Sequence, residues 1–283
     1  MTLEDLGYND ALKNYRKEHS LGSFEIGRVI LEHRNSYTVK TESKEYDCEL
    51  IGKLRFTIND DSKFPSVGDW VAISEYDKGK ALIHAVYPRF SILERKAVGK
   101  LGSTQTIAAN IDVGLVIQSV NRDFSINRIE RYLTICNASN IKPIIVLSKI
   151  DLVEEQELEE RMNQIHERIK NVPVLSISNE SKIGINELKS KLTKGKTYCL
   201  LGSSGVGKST LINSIIGEDI METGEISKGI DRGKHITTHR ELIVFENGIL
   251  IDNPGMREIG ITDTPAGVEM TFDDILNLSQ DCK

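Results

Sequence analysis

The residues with the clearest chemical potential form a glycine-rich run that ends in lysine and serine. Residues 202–209 read GSSGVGKS and match the pattern G-x-x-x-x-G-K-[ST]. Glycines let backbone amides wrap a phosphate, and a helix beginning at Lys208 would add the partial positive charge of its N-terminus. Lys208 would reach the β- and γ-phosphates of a nucleoside triphosphate, and Ser209 would bind Mg²⁺. The candidate nucleotide-binding residues here are Gly202, Ser203, Ser204, Gly205, Val206, Gly207, Lys208, Ser209 and Thr210.

A second candidate is an acid at the end of a predicted strand. The runs ELIVF and ILID flank an Asn-Gly pair, which is typical of a hairpin turn, and the second run ends at Asp252. An acid at such a strand end holds the magnesium shell in phosphate-loop enzymes. Asp252 is therefore a candidate Mg²⁺ ligand, and the amide of Gly255, in the sequence DNPG, is a candidate contact for the γ-phosphate.

A third motif could choose the base. Ser148, Lys149, Ile150 and Asp151 fit the pattern N/T-K-x-D except at the first position. Asp151 would accept hydrogen bonds from N1–H and N2–H₂ of guanine, a donor pair that adenine lacks. The aliphatic part of the Lys149 side chain would cover the purine face. Serine lacks the amide with which the usual asparagine braces the base and the phosphate loop, and this departure bears on the affinity and selectivity for guanine. Ser178, after the next predicted strand, is a candidate for the base-supporting loop.

The elements that must position these residues belong to two classes. Between residues 21 and 95, five or so short alternating runs predict an all-β barrel of the oligonucleotide/oligosaccharide-binding (OB) kind or an SH3-like barrel. From about residue 109, buried strand runs alternate with amphipathic helices, which predicts an α/β domain with a mostly parallel sheet. We predict an N-terminal extension at 1–20, the barrel at 21–95, a linker at 96–108 and the α/β domain at 109–265.

Composition limits the class of protein. The chain has 283 residues, 36 Lys and Arg against 42 Asp and Glu, and a formal net charge of −6, which argues against coating nucleic acid by bulk charge. Its four cysteines are far apart and predict neither a disulfide framework nor a complete zinc site. The first residues lack the basic and apolar parts of a signal peptide, and no run is long enough to span a membrane. We expect a soluble cytoplasmic monomer.

The order of the motifs points to a family. The base-reading motif precedes the phosphate loop, whereas it follows in ordinary small GTPases, so the GTPase domain is circularly permuted. With a barrel in front, the chain resembles the RsgA family, the ribosome small-subunit-dependent GTPases. The resemblance covers residues from about 20 to the end, and the matching segments are VGDWV at 67–71, AANID at 108–112, RYL at 131–133, GSSGVGKST at 202–210, RGKH at 232–235 and DNPG at 252–255.

The resemblance implies roles in the loop at 228–240, which is similar to the family's first switch segment. There a threonine completes magnesium coordination, and Thr237 or Thr238 is the candidate. His235 is the side chain expected to place water or to contact the ribosome. Met256 stands where many GTPases carry a water-orienting glutamine, and a thioether cannot orient water. We therefore expect slow hydrolysis by the chain alone and strong stimulation by a partner.

The implied function is GTP hydrolysis in late assembly of the small (30S) ribosomal subunit, with GTP or GDP and Mg²⁺ as ligands. The barrel would contact ribosomal RNA through its charges, and through Trp70 or Tyr76 if either is exposed. One alternative is an RNA-binding module that holds GTP as a slowly hydrolysed structural ligand. A third interpretation, motivated by Ser148, is an ATPase of permuted order.

The sequence differs from the family pattern at the C-terminus. Family members continue into a helical domain that holds zinc through three cysteines and one histidine. Cys282 resembles the first of these ligands, and one thiolate cannot hold zinc tetrahedrally. We expect residues 266–283 to be the start of that domain, so that Cys282 would bind zinc only if the chain continued. The chain as given would then be zinc-free, either as a fragment or as a natural variant.

Overall fold

A computed structural model describes residues 1–33, 36–57, 63–96, 104–218 and 241–252 of the chain. It contains a closed barrel followed by an α/β domain, as the sequence predicts. No helix within these ranges combines the length and apolar character needed to cross a bilayer.

The barrel has five strands and one helix. Its elements are β1 (Glu25–Glu32), β2 (Tyr37–Lys40), β3 (Glu45–Leu50), α2 (Gly52–Thr57), β4 (Trp70–Asp77) and β5 (Lys80–Val86). The strands pair in the order β1-β2-β3-β5-β4, and β4 also pairs with β1, which closes the ring. β3 and β5 are parallel, and the other pairs in the ring are antiparallel. This topology confirms the predicted OB-type barrel.

The N-terminal segment is docked on the barrel. α1 (Asp10–Glu18) begins after Asn9, whose side chain accepts a hydrogen bond from the amide of Leu12 at 3.1 Å. Leu6 and Leu12 are buried in one cluster with Trp70. Trp70 is therefore a core residue at 1% exposure, whereas Tyr76 is 56% exposed. Of the two aromatic residues considered for RNA contact, only Tyr76 is accessible.

Within the described ranges, the α/β domain contributes six strands to one sheet. Its strands are β8 (Val113–Ser119), β9 (Lys142–Ser148), β10 (Val174–Ser176), β11 (Thr197–Leu201), β12 (Glu241–Phe245) and β13 (Gly248–Asp252). The helices are α3 (Ile126–Ala138), α4 (Glu155–Arg168), α5 (Ile185–Lys191) and α6 (Lys208–Ile216). The strand order is β10-β9-β8-β11-β13-β12, parallel except for β12, which forms the predicted hairpin with β13. Loops that follow the parallel strands therefore meet at one edge of the sheet.

The range predicted as a linker contains regular structure. Thr104–Ala109 forms β7, which pairs antiparallel with β6 (Ile92–Lys96) as a separate two-stranded sheet. The glycines that indicated a linker, Gly99 and Gly102, lie outside the described residues. The part of the predicted linker at 104–108 is thus a strand, and Thr106, Ile107, Ala108 and Ala109 are buried.

The barrel and the α/β domain meet around one buried arginine. Arg28 of β1 donates hydrogen bonds to the carbonyls of Leu6 at 2.6 Å, Gly68 at 3.1 Å and Asn110 at 3.0 Å. The side-chain amide of Asn110 also donates to the Gly68 carbonyl at 3.1 Å. A Cβ at Gly68, where φ is +94°, would lie 2.1 Å from the Ala109 carbonyl oxygen. The two motifs VGDWV and AANID therefore form the junction between the domains.

A strand pair also crosses this junction. Leu31 of β1 is in register with Glu241 of β12, so the barrel strands and the α/β strands form one continuous sheet. β12 belongs to the hairpin that carries Asp252. The barrel is thus attached directly to the strand pair that delivers a candidate site residue.

Candidate functional site

The phosphate loop has the structural context that its sequence predicts. β11 ends at Leu201, α6 begins at Lys208, and α6 ends where Gly217 adopts a left-handed conformation and its amide donates to the Asn213 carbonyl at 2.8 Å. Within the loop, Gly205 and Gly207 have φ of +78° and +94°, a region that favours glycine. The chain therefore turns from strand to helix through a short loop that only residues without a Cβ adopt readily.

The start of α6 is a position that suits an anion. Gly207 is the residue before the helix, and no side chain caps the helix there. The first amides of a helix have no partners within the helix and carry its partial positive charge. Phosphate oxygens are the ligands that fit such a position, so the start of α6 fits a nucleoside di- or triphosphate.

Lys208 is already folded over the loop. Its ammonium donates to the carbonyls of Gly202 at 2.7 Å and Ser203 at 2.6 Å. These contacts hold the positive charge beside the loop rather than in open solvent. The charge thus lies beside the phosphate loop, and its contact with phosphate oxygens stays a prediction.

Ser148 braces the phosphate loop through its hydroxyl. It ends β9, is fully buried, and its hydroxyl donates to the Val206 carbonyl at 2.8 Å. The hydroxyl thus makes a direct contact with the phosphate loop, and the effect of serine on guanine affinity stays a prediction. The bond joins residues 58 positions apart, so the spacing of the motif alone could not reveal it.

The residues after Ser148 form a tight turn. Lys149 has a left-handed φ of +62°, a costly conformation for a residue with a Cβ, and the amide of Ile150 donates to the Ile177 carbonyl at 3.3 Å. Asp151 lies in the short 3₁₀ helix Ile150–Leu152 and is exposed. An exposed carboxylate at this edge of the sheet is accessible to a base, and strained backbone is common at ligand sites.

Ser178 and its neighbour Asn179 follow β10 at the same edge. Ser178 is buried, and its hydroxyl accepts a hydrogen bond from the amide of Ser181 at 3.0 Å, so it shapes its own loop. Asn179, which the sequence analysis did not single out, donates from Nδ2 to the Gly207 carbonyl at 3.2 Å. The signal in the sequence that could have identified Asn179 was an amide side chain next to Ser178. Both residues follow the strand that neighbours the base-reading strand.

One candidate magnesium ligand lies at the end of β13, and the other lies in the helix that follows the neighbouring strand β11. Cys199 of β11 is in register with Ile251 of β13, so Asp252 is level with Leu200, just before the phosphate loop. Ser209 is in the first turn of α6. A carboxylate and a hydroxyl are hard oxygen donors that fit Mg²⁺, which takes few protein ligands and completes its shell with phosphates and water. Among the described residues there is no group of three or more His, Cys, Asp or Glu placed to hold a metal.

Several predicted site residues lie outside the described ranges. They are the switch residues His235, Thr237 and Thr238, then Gly255 and Met256 after Asp252, and Cys282 near the end of the chain. Their roles remain predictions.

Comparison with known proteins agrees with this geometry. A family model described as RsgA GTPase matches residues 86–262. The chain is 40% identical over 259 residues to Small ribosomal subunit biogenesis GTPase RsgA 2 of Lactiplantibacillus plantarum, which covers 91% of this chain and 72% of that protein. It is 40% identical over 284 residues to Small ribosomal subunit biogenesis GTPase RsgA 1 of Listeria monocytogenes, covering 100% and 79%.

Solved structures share the fold. YjeQ from Thermotoga maritima superimposes with a TM-score of 0.68 at 27% identity, covering 88% of this chain and 82% of that one. YloQ, described as a circularly permuted GTPase, gives a TM-score of 0.66 at 24% identity, covering 94% and 83%, and supports the fold. The permuted motif order, the geometry of the phosphate loop and these similarities agree, and this chain belongs to the RsgA GTPase family.

Proposed function

We propose that this chain hydrolyses GTP in the assembly of the small ribosomal subunit. The observation that carries the proposal is the contact between the base-reading and phosphate loops, made by the Ser148 hydroxyl and the Val206 carbonyl. It brings the two halves of a nucleotide site together in the permuted order of the family. The relatives compared above are named small ribosomal subunit biogenesis GTPases, and these names support the proposed role in assembly of the subunit.

Different candidate residues would bind the phosphates, the base and the magnesium ion. Lys208 and the amides at the start of α6 would bind the phosphates, and Asp151 would accept the two donors of guanine. Ser209, Asp252 and either Thr237 or Thr238 would hold Mg²⁺. When bound, this ion neutralises charge that develops on the transferred phosphoryl group. Gly255 would donate its amide to the γ-phosphate.

The barrel is the proposed RNA-binding part. Tyr76 is exposed near the turn between β4 and β5, and the exposed cations Lys78 and Lys80 lie in and just after that turn. Aromatic faces and cations together suit unpaired nucleotides and the phosphate backbone. The carboxylates of Glu75 and Asp77 are exposed beside them, so the proposal for this face depends on Tyr76 and the two lysines rather than on a net positive charge.

Replacing Asp151 by asparagine tests the choice of base. An amide presents a donor where guanine also presents donors, whereas xanthine has a carbonyl at position 2 that can accept. We expect the Asp151→Asn variant to bind GDP at least about tenfold more weakly and to gain affinity for xanthosine diphosphate. Fluorescence titration with both nucleotides and with ADP measures this.

Two outcomes would count against guanine recognition by Asp151. One is unchanged GDP affinity in the variant, and the other is tight ADP binding by the unaltered chain, which would favour the ATPase interpretation. Glu160→Gln, an exposed change on α4, is the matched control and should leave all three affinities unchanged.

Met256 favours one second candidate function. With a thioether in place of a water-orienting glutamine, the chain could hold GTP as a structural ligand while the barrel binds RNA. Single-turnover hydrolysis with purified small ribosomal subunits separates the two candidates. Hydrolysis that stays slow on the subunit favours the RNA-binding module, and accelerated hydrolysis favours the GTP hydrolase.

A further inference from the structure

Two side chains join the base-reading side of the site to the phosphate loop. Ser148 donates to the Val206 carbonyl at 2.8 Å, and Asn179 donates to the Gly207 carbonyl at 3.2 Å. The two carbonyls belong to consecutive residues, immediately before α6. The phosphate loop is thus held at two adjacent points from one side.

The two side chains come from neighbouring strand ends. Ser148 is the last residue of β9, and Asn179 follows the end of β10, which pairs in parallel with β9. A Cβ at Gly207 would lie 3.0 Å from the Asn179 amide nitrogen, so the contact also depends on glycine at that position. The phosphate loop and the loop after β10 therefore pack closely against each other at Asn179.

The orientation of the Asn179 amide follows from chemistry. The Gly207 carbonyl can only accept, so the amide nitrogen must face it and the oxygen must point elsewhere. That oxygen is buried, and no residue in the described ranges donates to it. A buried acceptor without a donor costs free energy, and its presence is more typical of functional sites than of ordinary loops.

We propose that Asn179 is a positioning residue that supplies the amide missing at Ser148. In the N/T-K-x-D pattern, one asparagine at the first position braces both the base and the phosphate loop. Here the brace is divided, with a hydroxyl at position 148 and an amide at position 179. The inference rests on the proposed guanine-nucleotide site and adds a residue that fixes the distance between its two halves.

A divided brace has a kinetic consequence. A nucleotide spans the base loop and the phosphate loop, so a rigid distance between them lowers the ordering cost of binding. Both GDP and GTP contact the phosphate loop, so loss of the brace should weaken both alike. The effect should appear mainly as faster release, because affinity changes among closely related variants lie mostly in the off-rate.

The test compares release of fluorescent GDP from the full chain and four variants. Asn179→Ala removes the amide, and Asn179→Asp keeps the shape but replaces the donating nitrogen by an acceptor. Both should release GDP about tenfold faster, the effect of one well-placed hydrogen bond. The matched control is Asn163→Ala on the exposed face of α4, which should release GDP at the unaltered rate.

Returning the amide to its usual position is the decisive variant. The double change Ser148→Asn with Asn179→Ala should release GDP within about threefold of the unaltered chain, and more slowly than Asn179→Ala alone. A merely structural role for Asn179 would give no such rescue. Thermal unfolding without nucleotide verifies that each variant is folded, and Asn179→Asp, which preserves size, serves if the alanine variant is not.

The outcomes separate this inference from the proposed function. If the unaltered chain binds no guanine nucleotide, the proposed function and the inference both fail. If it binds GDP and a folded Asn179 variant releases GDP at the unaltered rate, only the inference fails. Equal release from Asn179→Ala and from the double variant would also overturn the divided brace.

Discussion

Replacing Lys208 by alanine is expected to lower single-turnover GTP hydrolysis about a thousandfold, the upper range for loss of one group that stabilises charge in a transition state. The ammonium is held by the carbonyls of Gly202 and Ser203 at 2.7 and 2.6 Å. Because the loop already holds the charge in place, little reorganisation is needed when phosphate arrives. Alanine removes the charge and leaves both carbonyls without that donor.

Measurement of this effect needs saturating GTP and Mg²⁺, so that weaker binding is not mistaken for slower chemistry. Lys191→Ala, an exposed change at the end of α5, is the matched control and should hydrolyse GTP at the unaltered rate. Hydrolysis by Lys208→Ala within about tenfold of the unaltered rate would show that Lys208 does not stabilise the phosphates.

Replacing Arg28 by methionine is expected to lower the free energy of unfolding by about 3–5 kcal/mol, because each buried acceptor left without a donor costs roughly 1–3 kcal/mol. The carbonyls of Leu6, Gly68 and Asn110 would each lose a donor. The Gly68 carbonyl keeps the hydrogen bond from the Asn110 side-chain amide, so the cost falls mainly on the carbonyls of Leu6 and Asn110. These carbonyls belong to the N-terminal segment, the barrel and the start of the α/β domain. The change should therefore loosen all three parts together.

The choice of arginine at this position has a physical reason. Only a guanidinium presents enough donors, in a fixed fork, to reach three carbonyls in different directions. The group also lies over the Trp70 ring, 5.6 Å from its centroid. Burial lowers the pKa of Arg28 to about 10, while Asp112 and Asp69 favour the charged form.

Urea unfolding of Arg28→Met, followed by circular dichroism, measures the loss. Arg122→Met, at an exposed turn, is the control and should stay within about 0.5 kcal/mol of the unaltered chain. A loss below about 1 kcal/mol for Arg28→Met would mean that the three carbonyls find other donors.

Local patterns in the sequence predicted the elements that carry the site. The phosphate loop lies between β11 and α6 as predicted, and Asn247 and Gly248 mark the hairpin that ends at Asp252. These features depend on residues close together in the chain, where turn chemistry and helix signals act. They could be predicted because the physical causes are local.

The contacts that hold the site together were not predictable in this way. The bonds from Ser148 to Val206 and from Asn179 to Gly207 join residues distant in sequence, and Arg28 unites three segments. No spacing rule identifies such partners, because they depend on how strands order themselves in the sheet. The strand at Thr104–Ala109 was missed because Gly99 and Gly102, between it and β6, indicated a linker.

One measurement tests the central claim most directly: single-turnover hydrolysis of GTP and ATP by the full chain, with and without purified small ribosomal subunits. We expect slow hydrolysis of GTP alone, acceleration by the subunits within the range of about 10⁵-fold that completing a GTPase site can give, and no comparable hydrolysis of ATP. Equal GTP turnover with and without subunits, or ATP turnover that matches GTP turnover, would contradict the account.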